Sequence, residues 1–236
     1  YEDKLLRRLK GDLKTLRSYS RQSQSKSQML STDILDFFMD DQVRGERFRY
    51  HNYPLNQMFG VQSEMPNFML TMHPVNGKTN ARNYARRLSK FGKKYDQVLE
   101  GLYTREAKGC IPPRFVIRRV LDEMIAFAGK PARENPLYTV FAEKLAKLKL
   151  SEAEQQKYLA AAEQEIEKTV YPAYQKMIAC FTELEGKATT DNGVWKLPDG
   201  EACYAYNLRS STTTDLTPEQ VHEIGLSEVA RIQGEM

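Results

Sequence analysis

The stretch SEAEQQKYLAAAEQEIEKTVYPAYQKMIACFTELEG, residues 151–186, decides the fold class. Ser151 and Glu154 form a capping box, in which each side chain satisfies the other's free backbone amide. The box opens the longest helix of the chain, running to about Glu185 with Gly186 as its stop. Pro172 should kink or break that helix, because proline lacks the amide hydrogen and clashes with the preceding turn. Upstream, Asn135-Pro136 pairs a good cap with a first-turn proline and opens a helix to about Leu148. Pro112-Pro113 starts another that ends near Gly129, and Thr79 or Asn80 starts one through about Leu102.

The N-terminal third is less regular. Residues 51–78 hold three prolines and two glycines among Met58, Phe59, Met65, Phe68, Met69 and Met72, which reads as a packed, loop-rich segment. Ser31 or Thr32 caps a helix to about Tyr50 that carries Ile34, Leu35, Phe37, Phe38, Val43 and Phe48 inward. Residues 19–28, rich in Ser and Gln, read as a linker. Before them, Leu5, Leu6, Leu9, Leu13 and Leu16 recur at helical spacing.

Downstream, the pattern changes. Val194–Leu197 and Cys203–Leu208 are strand-like runs, and Pro198-Asp199-Gly200 between them supplies turn chemistry. They predict a β-hairpin near 194–208, with Tyr204, Tyr206 and Leu208 on one face. Thr217-Pro218-Glu219-Gln220 then starts a last helix. The expected fold is mostly α, an array of about six to eight helices of ordinary length, with that hairpin as its only sheet. Residues 1–236 read as a single helical region, with 194–216 as a distinct edge.

Composition limits the function. The chain has 236 residues, and 41 % hydrophobic against 28 % charged residues is enough for a sizeable core. Mean hydropathy is −0.62, and no apolar run approaches the roughly 18–20 residues of a membrane span. A formal net charge of +4 argues against wholesale disorder and against a strongly basic nucleic-acid binder. Cys110, Cys180 and Cys203 cannot define a disulfide framework, allow at most one bridge, and fit no zinc spacing. The charge is nevertheless segregated. Residues 78–119 carry twelve Lys or Arg against three Asp or Glu, and residues 120–236 carry twelve against nineteen. This pattern suits oppositely charged helix faces packing together better than an anionic-ligand surface.

Few residues carry candidate chemistry. His222-Glu223 matches the start of a zinc-protease helix, but position 226, where the second imidazole must share the face, is Leu226. His51 and His73 stand alone and suit structural or surface roles. Cys110 reads as a small buried residue, and Asp40-Asp41 and the Glu163, Glu165 and Glu167 series read as solvated faces. The exception is Tyr204–Asp215, where two tyrosines, an arginine and five hydroxyl residues crowd together. A strand edge there could hold an extended peptide by strand addition, with Arg209 for a carboxylate. The bland alternative is a hairpin followed by a loop that caps its own helix.

A family resemblance runs along almost the whole chain. Its residues are Asp33-Ile-Leu with Arg47-Phe-Arg, Pro54-Leu-Asn-Gln57 with Gly60, Gly109-Cys-Ile-Pro-Pro-Arg114 and Val170-Tyr-Pro-Ala-Tyr174. They continue with Gly193-Val-Trp-Lys-Leu-Pro-Asp-Gly200, Thr212-Thr-Thr-Asp-Leu-Thr-Pro-Glu219 and His222-Glu-Ile-Gly-Leu-Ser-Glu-Val-Ala-Arg231. The chain resembles the N-terminal part of the bacterial domain-of-unknown-function family numbered 885, whose members are regarded as zinc metallopeptidases, many of them secreted or lipoprotein-like. The family's His-Glu-x-x-Pro-Gly-His-His type of motif belongs to the half that follows and is absent here.

The resemblance therefore implies a hydrolase whose zinc lies in the full-length protein, with no metal bound by this chain and no catalytic residue in it. It implies a peptide substrate, the remaining half of the same polypeptide as partner, and a cell-envelope or secreted location. Nucleic acid is not expected. Tyr204, Tyr206, Arg209, Thr212, Thr213 and Thr214 are the candidate substrate-binding residues, for an oxyanion or a terminal carboxylate. The start at Tyr1 and the end at Met236, inside an apparent helix, favour a piece of a longer polypeptide. In that case the surface around 204–236 should be unusually apolar or flexible. The competing expectation is a stand-alone helical binding or scaffold module of the envelope, using the basic segment 78–119.

Overall fold

The computed structural model describes residues 2–236, which are mostly helical and contain no strand. The helices are α1 (Glu2–Ser18), α2 (Lys26–Gly45), α3 (Val61–Asn67), α4 (Lys78–Leu88), α5 (Phe91–Ala107) and α6 (Arg114–Ala128). They continue as α7 (Pro136–Ala146), α8 (Glu152–Glu165), α9 (Tyr171–Lys187), α10 (Gly200–Thr212) and α11 (Pro218–Glu235). Contacts divide the chain into two units, one of residues 1–51 with 194–236, the other of residues 52–193.

The continuous unit 52–193 holds most of the core. Two of its helices, α7 and α8, start where cap chemistry placed them, whereas α4 starts at Lys78 after Gly77 and not at Thr79 or Asn80. Asn135 accepts from the Leu137 amide at 3.0 Å, and Ser151 and Glu154 form the reciprocal box. Tyr84 and Phe141 stack with centroids 4.0 Å apart, and the Tyr84 hydroxyl donates to the Leu137 carbonyl at 2.8 Å. Burying two such rings contributes several kcal/mol, about 25 cal/mol per Å² of apolar surface. The expected helix 79–102 is two helices, α4 and α5, parted at Ser89-Lys90. The wide turn Ile166–Val170 joins α8 to α9 immediately before Tyr171-Pro172. A π turn shifts the hydrogen bonds by one residue, so the proline needs no break and the rod runs on through it. A second π turn, Phe68–Met72, lies inside the segment expected to be loop-rich. Leu55, Met69 and Val75 are buried there, whereas Met58, Phe59 and Met72 are exposed.

The charge segregation resolves as cross-helix pairing. Lys78 pairs with Glu154 and Arg118 with Glu185, joining the basic stretch to acidic residues downstream. His73 is buried, with Nε2 on the Asn80 carbonyl at 3.1 Å and Nδ1 accepting from Arg87 at 2.8 Å.

The discontinuous unit is built differently. α2 begins at Lys26, capped by Ser25 in a box with Gln28, so residues 19–28 are not a plain linker and Ser31 and Thr32 lie inside the helix. Ile34, Leu35 and Phe38 do not point inward: they are 62 %, 40 % and 56 % exposed. α1 pairs with α2 through Arg17 on Asp36 and Asp40, and the turns that follow each helix add Arg21 on Asp33 and Lys10 on Glu46, with Leu13 of α1 buried. Exposed pairs of this kind contribute little each, so this unit rests more on geometry than on burial.

The hairpin expected at 194–208 does not form. Val194–Lys196 is a short 3-10 turn and Gly200–Thr212 is α10. Asp199 takes the left-handed conformation, φ 52°, and turns the chain into a helix instead of back along a strand. The sequence suits both patterns. Alternation places Tyr204, Tyr206 and Leu208 together, whereas helical spacing places Cys203, Tyr206 and Ser210 together. The structure takes the second pattern, and buried Cys203 anchors that face.

Candidate functional site

Helical α10 aims Tyr206, Arg209 and Ser210 at one carboxylate on α2. Asp41 is buried. Its Oδ2 accepts from Ser210 Oγ at 2.7 Å and from the Tyr206 hydroxyl at 3.3 Å, and its Oδ1 accepts from Arg209 Nη1 at 3.2 Å. The Tyr206 hydroxyl also donates to the Asp41 backbone carbonyl at 3.1 Å. Arg209 lies over the Phe37 ring, 5.0 Å from its centroid, and its Nε donates to Asp215 at 3.1 Å. Tyr206 packs against Phe48, with ring centroids 5.5 Å apart. Gly45 makes this approach possible, since a β-carbon there would lie 2.2 Å from the Tyr206 hydroxyl oxygen.

Beside this cluster runs an open groove of about 870 Å³. Ile34, Phe37 and Phe38 form an apolar wall, and Asp41, Gln42, Tyr206, Ser210 and Thr213 form a polar one. Thr213 caps α10 in the left-handed region, φ 56°, a conformation a β-branched residue rarely adopts. Strain of that kind gathers where the surroundings hold a residue in place. Here the Thr213 amide donates to the Arg209 carbonyl at 2.8 Å.

The electrostatics fix what the polar wall offers. Burial, and then the Asp41 charge, push the Tyr206 phenol above its ordinary value, so it keeps its proton. That proton points at Asp41, as does the Ser210 proton. The hydroxyl oxygens therefore present lone pairs to the groove, which suits amide or ammonium donors. Arg209 already serves Asp41 and Asp215. Its charge is therefore offset by two carboxylates, and two of its five N–H donors are engaged.

Of the expected site residues, the structure gathers Tyr206, Arg209 and Thr213 here. Tyr204 points elsewhere and is 48 % exposed. Thr212 hydrogen-bonds the Leu208 carbonyl and Thr214, within the α10–α11 turn. The strand edge proposed for peptide addition is absent. Asp41, Ser210 and Gly45 are the residues that sequence reading missed, and Asp41 is buried where a solvated face was expected. His222 and Glu223 are exposed on α11. Among the described residues no three His, Cys, Asp or Glu side chains gather to hold a metal.

Comparison with known proteins places the chain. The family described as "Bacterial protein of unknown function (DUF885)" matches residues 1–236. The chain belongs to the DUF885 family. A search of curated proteins finds no match. The crystal structure of the "putative lipoprotein" from Colwellia psychrerythraea is similar over 99 % of this chain, with a TM-score of 0.84 and 24 % identity. It shows that this DUF885 chain shares its fold. This chain spans 41 % of the length of that one. No helix among the described residues of the DUF885 chain is long and apolar enough to cross a membrane.

Proposed function

We propose that this chain is the N-terminal, substrate-side part of a zinc-dependent peptidase held at the cell envelope, with zinc and its ligands outside the chain. The groove beside Asp41 carries the reading. One wall is apolar enough for a side chain, and the other offers oxygen acceptors to backbone amides, as a short peptide needs. The lipoprotein description of the structural neighbour supports the envelope location. The family resemblance supports the chemistry, since its metal motif belongs to the half that follows this chain.

The test uses the full-length protein with a defined peptide mixture and mass spectrometry of the products. The expected result is cleavage that a chelator stops and zinc restores. Phe38→Asp, at an exposed position on the apolar wall, should raise KM with folding unchanged. A full-length protein that cleaves no peptide overturns the reading and leaves the stand-alone envelope module in its place. Unchanged kinetics in Phe38→Asp would remove the groove from it.

A further inference from the structure

Cross-helix pairing takes up Lys78 and Arg118, but it leaves the middle of the basic stretch uncompensated. Residues 65–95 hold seven Lys or Arg and no Asp or Glu. Five of these cations, Arg82, Arg86, Lys90, Lys93 and Lys94, are exposed. Among the described residues no carboxylate pairs with any of the five.

The fold lines these charges up. α4 turns Ala81, Tyr84 and Leu88 into the core, which leaves Arg82 and Arg86, one turn apart, on the opposite face. Lys90 follows at the same spacing in the turn to α5, and Lys93 and Lys94 occupy the first turn of α5. Local physics works against this arrangement. Like charges four residues apart repel each other. The start of a helix disfavours cations, and the first turn of α5 holds no acid to offset them. Only the end of α4, where Arg86 sits, suits a positive charge. An anionic partner from outside the chain removes these costs.

Apolar side chains border the same helix. The π turn Phe68–Met72 lies alongside α4, with the Arg87 guanidinium 5.3 Å from the centroid of the Phe68 ring and with His73 bonded to Asn80 and Arg87. Phe68 and Met72 stay 46 % and 69 % exposed. Cations beside exposed apolar side chains match a layer of anionic headgroups lying over hydrocarbon. Nucleic acid would use open aromatic faces for stacking and has no use for Met72, and Arg87 already covers one face of Phe68. We propose that the outer face of α4 and the start of α5 dock the protein onto a membrane surface of anionic phospholipid, with Phe68 and Met72 entering the headgroup layer. The choice of lipid rests in part on the envelope reading above; the demand for an anionic partner follows from the charges themselves.

The full-length protein, prepared without lipidation, is co-sedimented with vesicles of phosphatidylcholine and of phosphatidylcholine mixed equally with phosphatidylglycerol. The expected result is partition about tenfold or more stronger onto the anionic vesicles, weakened by salt. Each cation near such a surface contributes about fivefold, so Arg82→Gln with Arg86→Gln should weaken partition roughly twentyfold. Met72→Ser should weaken it about threefold. Arg118→Gln with Lys187→Gln removes the same charge from positions already paired with Glu185 and Glu106, and should change partition about twofold at most. Equal partition onto neutral vesicles, unchanged partition in the folded Arg82→Gln, Arg86→Gln variant, or an equal loss in the paired-position control would each overturn the proposal. So would tighter binding to duplex DNA than to anionic vesicles at equal phosphate concentration. Cleavage of peptides in solution does not involve this face. Cleavage without vesicle binding overturns the docking alone, and vesicle binding without cleavage overturns the peptidase reading alone.

Discussion

Replacing Gly45 by alanine should destabilise the discontinuous unit, against the usual sign for a glycine in a helix. Alanine normally gains about 0.5–1 kcal/mol there by restricting the unfolded chain. Here the new β-carbon would sit 2.2 Å from the Tyr206 hydroxyl oxygen and 2.7 Å from Cζ. The ring must retreat by about 1 Å to reach tolerable contact, and overpacking of this kind costs about 1–3 kcal/mol. The retreat stretches the 3.1 Å and 3.3 Å hydrogen bonds to Asp41 beyond useful length, costing about 1 kcal/mol more. The net expectation is a loss of about 1–3 kcal/mol. Trp195 belongs to the same unit, so urea unfolding followed by its fluorescence reads the change. The midpoint should fall by about 1 M. In a Tyr206→Ala background the obstruction is gone, and Gly45→Ala should become mildly stabilising. A stabilising Gly45→Ala in the otherwise native chain would refute the packing of α10 against α2.

Asp41→Ala leaves Ser210 without its acceptor and Arg209 with Asp215 alone, and should cost about 2–4 kcal/mol in the same assay, with Asp41→Asn costing less. His73 gives unit 52–193 a pH dependence. Burial first, and then Arg87 and Lys144, hold its imidazole below the ordinary value, partly opposed by the Asn80 carbonyl. The unfolded chain therefore takes the proton first. Stability should be full above about pH 6.5 and decline as the pH falls toward the folded value, and His73→Gln should remove that slope. Cys110, Cys180 and Cys203 are unbridged and buried, and burial pushes the Cys180 thiol up to about 11. A disulfide reagent should label none of the three quickly in the native protein at about pH 8 and all of them in urea.

Much of the helical layout is legible because its signals are local. Asn135-Pro136, Ser151 with Glu154 and Thr217 with Gln220 each need only a few residues to satisfy the amides of a first turn. Ser25 with Gln28 carries the same signal, but the polar run around it resembles a linker. Residues 194–208 mislead for the opposite reason. Tyr204, Tyr206 and Leu208 alternate as a strand would, and the spacing of Cys203, Tyr206 and Ser210 is equally helical. What decides between them is Asp41, far away in sequence, which takes hydrogen bonds from Tyr206, Arg209 and Ser210 at once. No local pattern announces that partner. The apolar residues of α2 mislead in the same way, because Ile34 and Phe38 look like core and line a groove.

The split of one unit into residues 1–51 and 194–236 bears on how the protein is made. Chains emerge from the ribosome N-terminus first, at about 5–20 residues per second, so α1 and α2 wait roughly ten to thirty seconds for α10. The intervening 52–193 holds its own core and can finish first. Throughout that interval Asp41 has neither Ser210 nor Arg209, and Ile34 and Phe38 stand on a helix pair tied mainly by surface charge. A holding chaperone, or a slow codon run after residue 212, would act on this interval and not on the larger core.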